Sequence, residues 1–220
     1  MVRWVNVRRC VLGIALSSMV AGCGATRSSA DNPTSFGGLT PNTPDMEAGL
    51  VAIAPGFDIR TYKTVVVEKF EVTDAEIQDE GDRRFAAKMT QYLHLQLLRR
   101  LREGGLFQQV VSATDGAKPL DGAALRLRGV VTRLGRGSQV ARYFAGLYGA
   151  GRTRAQADLQ LLDAASGKVG LVTADRRVAS VGMFGGSDEE HLEESFNDLA
   201  RDFAKFLVRL SQGQAPKAAP

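Results

Sequence analysis

The chain has 220 residues, with 28 Lys and Arg against 24 Asp and Glu, two histidines and two cysteines. Arg3, Arg8 and Arg9 precede an apolar run that leads to Cys23, so a chain processed there keeps 25 cations against 24 acids, a charge of about +1. The sequence pI near 9.3 therefore offers no support for a nucleic-acid partner. Cys10 leaves with the leader, which excludes an intramolecular disulfide or a thiolate metal site in the mature chain.

The run from Cys10 to Val20 follows positive charges, contains no acid, and falls short of the roughly 20 apolar residues that span a bilayer, so it reads as an export signal. Val20-Ala21-Gly22-Cys23 resembles the lipobox of bacterial lipoproteins. That resemblance implies removal of residues 1–22 and acylation of Cys23, with more than one chain as stable anchoring requires. An ordinary secretory signal cleaved after Ala15-Leu16-Ser17 is the alternative. Gly24, where Asp would stand, is similar to lipoproteins of enteric bacteria sorted to the outer membrane, and implies a lipid-anchored protein on its periplasmic face. Gly24 to Asp45 is rich in Ser, Thr, Pro, Gly and Asn, with Phe36 its one aromatic. It predicts a flexible tether over residues 23–45, with a reach of about 25–30 Å.

Residues 46–211 suit one domain. Tyr62–Val72, centred on Val65, Val66 and Val67, predicts a strand. A helix follows from about Asp79 to Glu103: Phe85, Met89, Tyr92, Leu93, Leu97 and Leu101 recur at helical spacing, and Gly104-Gly105 stops it. Leu106–Val111 predicts a short strand. Ala123–Leu134 and Arg154–Leu162 alternate apolar with polar residues and predict two longer ones, each with a buried and a wet face. Asp163 to Gly167 is a turn into a return strand, Lys168–Val181. Ser187 with Glu190 is a capping box, and Leu192, Phe196, Leu199, Phe203, Phe206, Leu207 and Leu210 form the apolar stripe of a last helix. Residues 212–220 predict a frayed tail. The order gives an α/β fold of α+β type: a two-layer sandwich, its sheet largely antiparallel, with two helices on one face.

Several short motifs carry a resemblance: Gly105-Leu106-Phe107, Leu125-Arg126-Leu127-Arg128-Gly129, the glycines Gly146, Gly149 and Gly151, and Leu161-Leu162-Asp163 with Ser166-Gly167. In these, Tyr62 to Phe184 resembles the bacterial lipoproteins grouped as domain-of-unknown-function family 4410. The motifs are structural, and the resemblance implies a fold and an envelope location. The element order is more distantly similar to periplasmic cores of the lipoprotein activators of peptidoglycan synthases and of the curli secretion lipoprotein, a likeness of fold that does not set function.

No catalytic frame surrounds His94 or His191: H-E-x-x-H, G-x-S-x-G and S-x-x-K are all absent. Gly149-Ala150-Gly151 lacks the third glycine and the following helix of a phosphate cradle. The acids from Glu68 to Asp82 have no ligand spacing and read as a solvated helix entry. The sequence thus predicts a non-enzymatic protein with no catalytic residue, no metal and no cofactor. Two surfaces are candidates for a partner. Arg126 to Arg177 holds nine arginines and Lys168 against three aspartates, and Arg126, Arg128 and Arg154 fall on the expected wet face, fit for an anionic partner or for solvation and pairing with nearby acids. Tyr143, Phe144 and Tyr148 lie in an apolar, glycine-rich segment suited to core or to oligomer contact. The expected partners are the bilayer through acylated Cys23, an envelope protein, and a second copy of the chain. A small-molecule-binding protein, a small hydrolase with a site dispersed in the sequence, and a self-assembling structural subunit are the competing readings.

Overall fold

The computed structural model describes residues 26–74, 77–115, 123–135, 152–180 and 187–218. Among these, nine strands form one sheet: β1 (Thr26–Ser28), β2 (Thr43–Asp45), β3 (Gly49–Ile53), β4 (Thr64–Val67), β5 (Glu71–Val72), β6 (Gln109–Ser112), β7 (Ala124–Gly135), β8 (Arg152–Asp163) and β9 (Val169–Ser180). The helices are α1 (Glu80–Glu103) and α2 (Asp188–Ser211). The sheet order is β2-β3-β9-β8-β7-β4-β6, with β1 also on β9 and β5 also on β7. β4 runs parallel to β6 and β7, and β5 parallel to β7; the other pairs are antiparallel. The α+β sandwich expected from the sequence is the observed architecture.

Local chemistry explains the elements. Asp79 caps α1 by accepting from the Asp82 amide at 2.7 Å, and Ser187 caps α2 with its reciprocal partner Glu190 in place. Asp163 Oδ1 accepts from the amides of Ala165 and Ser166, which closes the β8–β9 turn. Gly167 there takes φ +71°, a backbone that a side chain would strain. The predicted stripes meet in one core: Met89, Leu93 and Leu97 of α1, Leu192, Phe196 and Phe206 of α2, and Val65, Leu125, Leu127, Leu159 and Leu171 of the sheet are all fully buried.

The first expected strand, Tyr62–Val72, is broken into β4 and β5, both laid against β7. The break lets Phe70 pack on Gly129, where a Cβ would lie 3.2 Å from the ring. The strand expected at Leu106–Val111 is shifted to Gln109–Ser112.

Residues 26–45 are not a free tether. β1 pairs with β9 (Thr26↔Val178, Arg27↔Arg177, Ser28↔Arg176), and β2 pairs with β3, which itself lies on β9. Between them the chain crosses the sheet face opposite the helices. The Asp31 amide donates to Gln156 Oε1 at 2.7 Å, Gln156 Nε2 donates back to the Asp31 carbonyl, and the Thr34 amide donates to Asp158 Oδ2 at 2.7 Å. Gln156 and Asp158, expected on a wet face, are therefore 0% exposed. Burial pushes the Asp158 carboxyl above its ordinary value, and the bonds from Thr34 and Gln156 oppose it. A polar composition ordered this segment after all, because its backbone finds partners already fixed in the sheet.

A buried ionic cluster locks β1. Arg27 donates to both oxygens of Asp175 at 2.8 and 3.0 Å and to the carbonyls of Met46 and Glu47. Arg177, with a side chain 5% exposed, donates to Asp175 at 2.8 Å and to Asp202 of α2 at 2.9 Å. Burial works to raise the Asp202 carboxyl, and Arg177 with Arg201 overcomes it and holds it below its ordinary value. The C-terminal segment is pinned too: the Lys217 amide donates to Asp45 Oδ2 at 2.9 Å, and the Met46 amide to the Lys217 carbonyl at 2.7 Å. The expected frayed tail is thus held as far as Lys217.

Candidate functional site

A cleft of about 610 Å³ runs beside α1 at the β6 edge of the sheet. Thr90, Gln91, His94, Leu95 and Leu98 face it from α1, Phe70 and Lys69 from the β4–β5 connection, and Ser112 and Thr114 from the end of β6. Its size suits a small ligand or a few side chains of a partner. Leu95, 53% exposed, stands at its lip and is one of two large exposed apolar residues among those described. Arg102 donates to the Val110 carbonyl at 3.1 Å, which occupies an acceptor on the β6 strand.

A hydrogen-bonded chain forms the polar wall. His94 Nδ1 lies 2.9 Å from the Glu68 carbonyl, and His94 Nε2 lies 2.9 Å from Ser112 Oγ. A carbonyl can only accept, so Nδ1 carries the proton and Nε2 accepts from the Ser112 hydroxyl. Ser112 Oγ in turn lies 2.7 Å from Thr114 Oγ1 and accepts from the Thr114 amide at 3.2 Å. The arrangement puts a hydroxyl against a basic nitrogen, as nucleophilic catalysis requires. The orienting group on Nδ1 is a backbone carbonyl, which stabilises an imidazolium less than a carboxylate does.

The residues singled out in the sequence fall elsewhere. Arg126 and Arg128 are half-buried and both clamp Glu68, the latter at 2.7 Å. Glu68 is thus no part of a solvated helix entry, and its carboxylate offsets the charge that would make a basic face. Arg154 is exposed and remote from Glu68 along its strand, with no ion pair among the described residues. Tyr143, Phe144 and Tyr148, with the glycines around them, lie outside the described residues, as does Cys23. His191 is half-buried in the first turn of α2, and its Nε2 has no hydrogen-bond partner among the described residues. No group of three or more metal-ligating side chains occurs among the described residues. No helix among them is long and apolar enough to cross a membrane.

Sequence reasoning missed the cleft. His94 and Ser112 are 18 residues apart in no recognisable frame, and only the pairing of β6 with β4 brings them together. Leu95 was the one usable signal: an apolar residue on α1 outside the stripe that makes the core.

The model of a domain of unknown function, DUF4410, matches residues 65–182. The chain belongs to this family. The DUF4410 match runs from β4 through β9 and so contains α1, β6 and the whole cleft wall, while β1 to β3 and α2 lie outside it. No protein with a curated description matches the sequence. Among solved structures, the DUF4410 chain is similar to the PelC dodecamer from Paraburkholderia phytofirmans, with 15% identity, a TM-score of 0.44, and 76% of this chain and 96% of that one covered. It is also similar to a DUF330 protein from Xanthomonas campestris, with 13% identity, a TM-score of 0.47, and 79% and 95% covered.

Proposed function

We propose that this protein is a membrane-anchored lipoprotein of the bacterial envelope, held through acylated Cys23, that works as a non-enzymatic binding module. The cleft along α1 receives an apolar side chain or short segment of an envelope protein partner. The observation that carries this reading is the cleft itself: an exposed leucine at the lip of a concave, half-apolar site whose buried wall of His94 and Ser112 is already hydrogen-bonded to Thr114 and to the backbone. Such a site offers apolar contact without an unpaired polar group to penalise it.

The test is photocrosslinking in the native bacterium from position 95, with position 165 in the β8–β9 turn as control. A partner captured from 95 and absent from 165, and lost on Leu95→Glu with the domain still folded, is the expected result. Equal capture from both positions, or none from 95, refutes the cleft as the docking site. A self-assembling subunit would instead give crosslinks between copies and a multiple of the monomer mass in solution.

A hydrolase is the second reading, favoured by the 2.9 Å contact between Ser112 Oγ and His94 Nε2. Against it, Ser112 Oγ already faces His94 and both donors of Thr114, which suits a structural strut better than a free nucleophile. A fluorophosphonate probe decides: labelling of Ser112 that disappears in His94→Ala establishes the hydrolase, and an unlabelled Ser112 removes it.

A further inference from the structure

We infer that the end of the sheet carrying Thr26 and Arg154 faces the membrane, with Arg154 meeting anionic lipid headgroups; this rests on the reading that Cys23 is acylated. The register puts Thr26, Val178, Arg154 and Gly135 in one row across β1, β9, β8 and β7. Cys23 precedes Thr26 by three residues, and three residues reach at most about 11 Å. A free tether over residues 23–45 would have let the domain stand away and turn. With β1 built into the sheet and Arg27 held by Asp175, Met46 and Glu47, Thr26 stays within that reach of the acylated cysteine, and Arg154 stands two strands, about 10 Å, further along the row. The other end of β8, at Asp163, is nine residues further along the strand, about 30 Å away.

Charge at this end agrees. Arg154 is exposed, with no ion pair among the described residues. Arg133 and Arg176 lie on the same face, opposite Gln156 on the two flanking strands. They share one acid, Asp31, at 3.8 Å each. Among the described residues, these three cations face Asp31 and the buried Asp158, which leaves an excess of positive charge, the sign that anionic headgroups attract. The occupant of this surface is therefore a lipid headgroup layer, and the β8–β9 turn points away from it.

The experiment uses the acylated mature protein in vesicles. Once Cys10 is removed with the leader and Cys23 is acylated, an introduced cysteine is the only free thiol, so Ser29→Cys and Ala165→Cys can each take one spin label. Vesicles contain a nickel-chelating lipid, which speeds relaxation only of labels near the headgroups. Fast relaxation at 29 and none at 165 is the expected result; equal relaxation at both overturns the orientation. Mass analysis of the N-terminal peptide separates the two ideas: an unacylated Cys23 defeats the anchor reading, whereas an acylated Cys23 with equal relaxation defeats only this one. For the charge, the full mature chain with Cys23→Ser is partitioned onto phosphatidylcholine vesicles with and without phosphatidylglycerol. Arg154→Ala should lower partitioning onto the anionic vesicles by about fivefold, with Arg154→Lys restoring it. An Arg154→Ala variant that partitions as the parent does refutes the headgroup contact.

Discussion

Replacing Arg177 with Met tests whether the ionic cluster between β1, β9 and α2 holds the fold together. The guanidinium is 5% exposed and bonds Asp175 and Asp202 at once. Methionine fills the same volume but leaves both carboxylates one partner short. Breaking a buried pair from one side costs roughly 3–5 kcal/mol. Asp175 retains Arg27, and Asp202 retains Arg201 at 3.0 Å, so the lower end, about 3 kcal/mol, is expected. In urea unfolding of the mature chain with Cys23→Ser, a slope near ~2 kcal/mol per molar turns this into a midpoint shift of about 1.5 M. Adding Asp175→Leu should deepen the loss, because Arg27 then loses both of its bonds to that carboxylate. A shift for Arg177→Met below ~0.3 M at unchanged slope would show that water, and not Arg177, satisfies these acids.

Gly49→Ala should destabilise by about 2 kcal/mol or more, measured the same way: φ is +75° and a Cβ would sit 2.4 Å from the Ala174 carbonyl. Ser187→Ala should cost about 1 kcal/mol through loss of the α2 capping box. Acid titration followed by circular dichroism should show stability falling as the pH drops below about 4. Asp45 and Asp202 sit below their ordinary value of 3.8; their contribution is complete above the unfolded pKa and is lost as pH falls through the folded one. Asp158 has the opposite sign: its carboxyl is raised, so its contribution is present at low pH and lost as pH rises through its folded value. Asp202→Asn should accordingly flatten the acid slope, and an unchanged slope would assign the acid transition to other groups.

What could be read from the sequence follows from what acts locally. The two helices were legible to within a residue because their caps, Asp79 and Ser187, and their apolar stripes are short-range features. β7 and β8 were legible from their alternation, and β9 as the return strand after the turn at Asp163 to Gly167. The parallel pairing of β4 with β6 and β7 joins residues far apart in the chain, and no local pattern encodes it. Gln156 and Asp158 looked wet because polar residues on alternating positions usually are; here 26–45 covers them and supplies their hydrogen bonds. The low hydrophobicity of that segment was real, but it folds onto a sheet that other residues built. The cleft was illegible for a similar reason: His94, Ser112 and the Glu68 carbonyl share a site through topology alone.

The pairing of β1 with β9 also has a temporal consequence. Thr26 contacts Val178 across 152 residues, so in an exported chain that emerges N-terminus first, the opening strand must wait for nearly the whole sequence before its partner exists. Closure of such a long loop delays this step relative to the β8–β9 hairpin and the helices. Completion of the sheet then fixes residues 26–28 last, so the chain's own topology sets the order in which its two ends are joined.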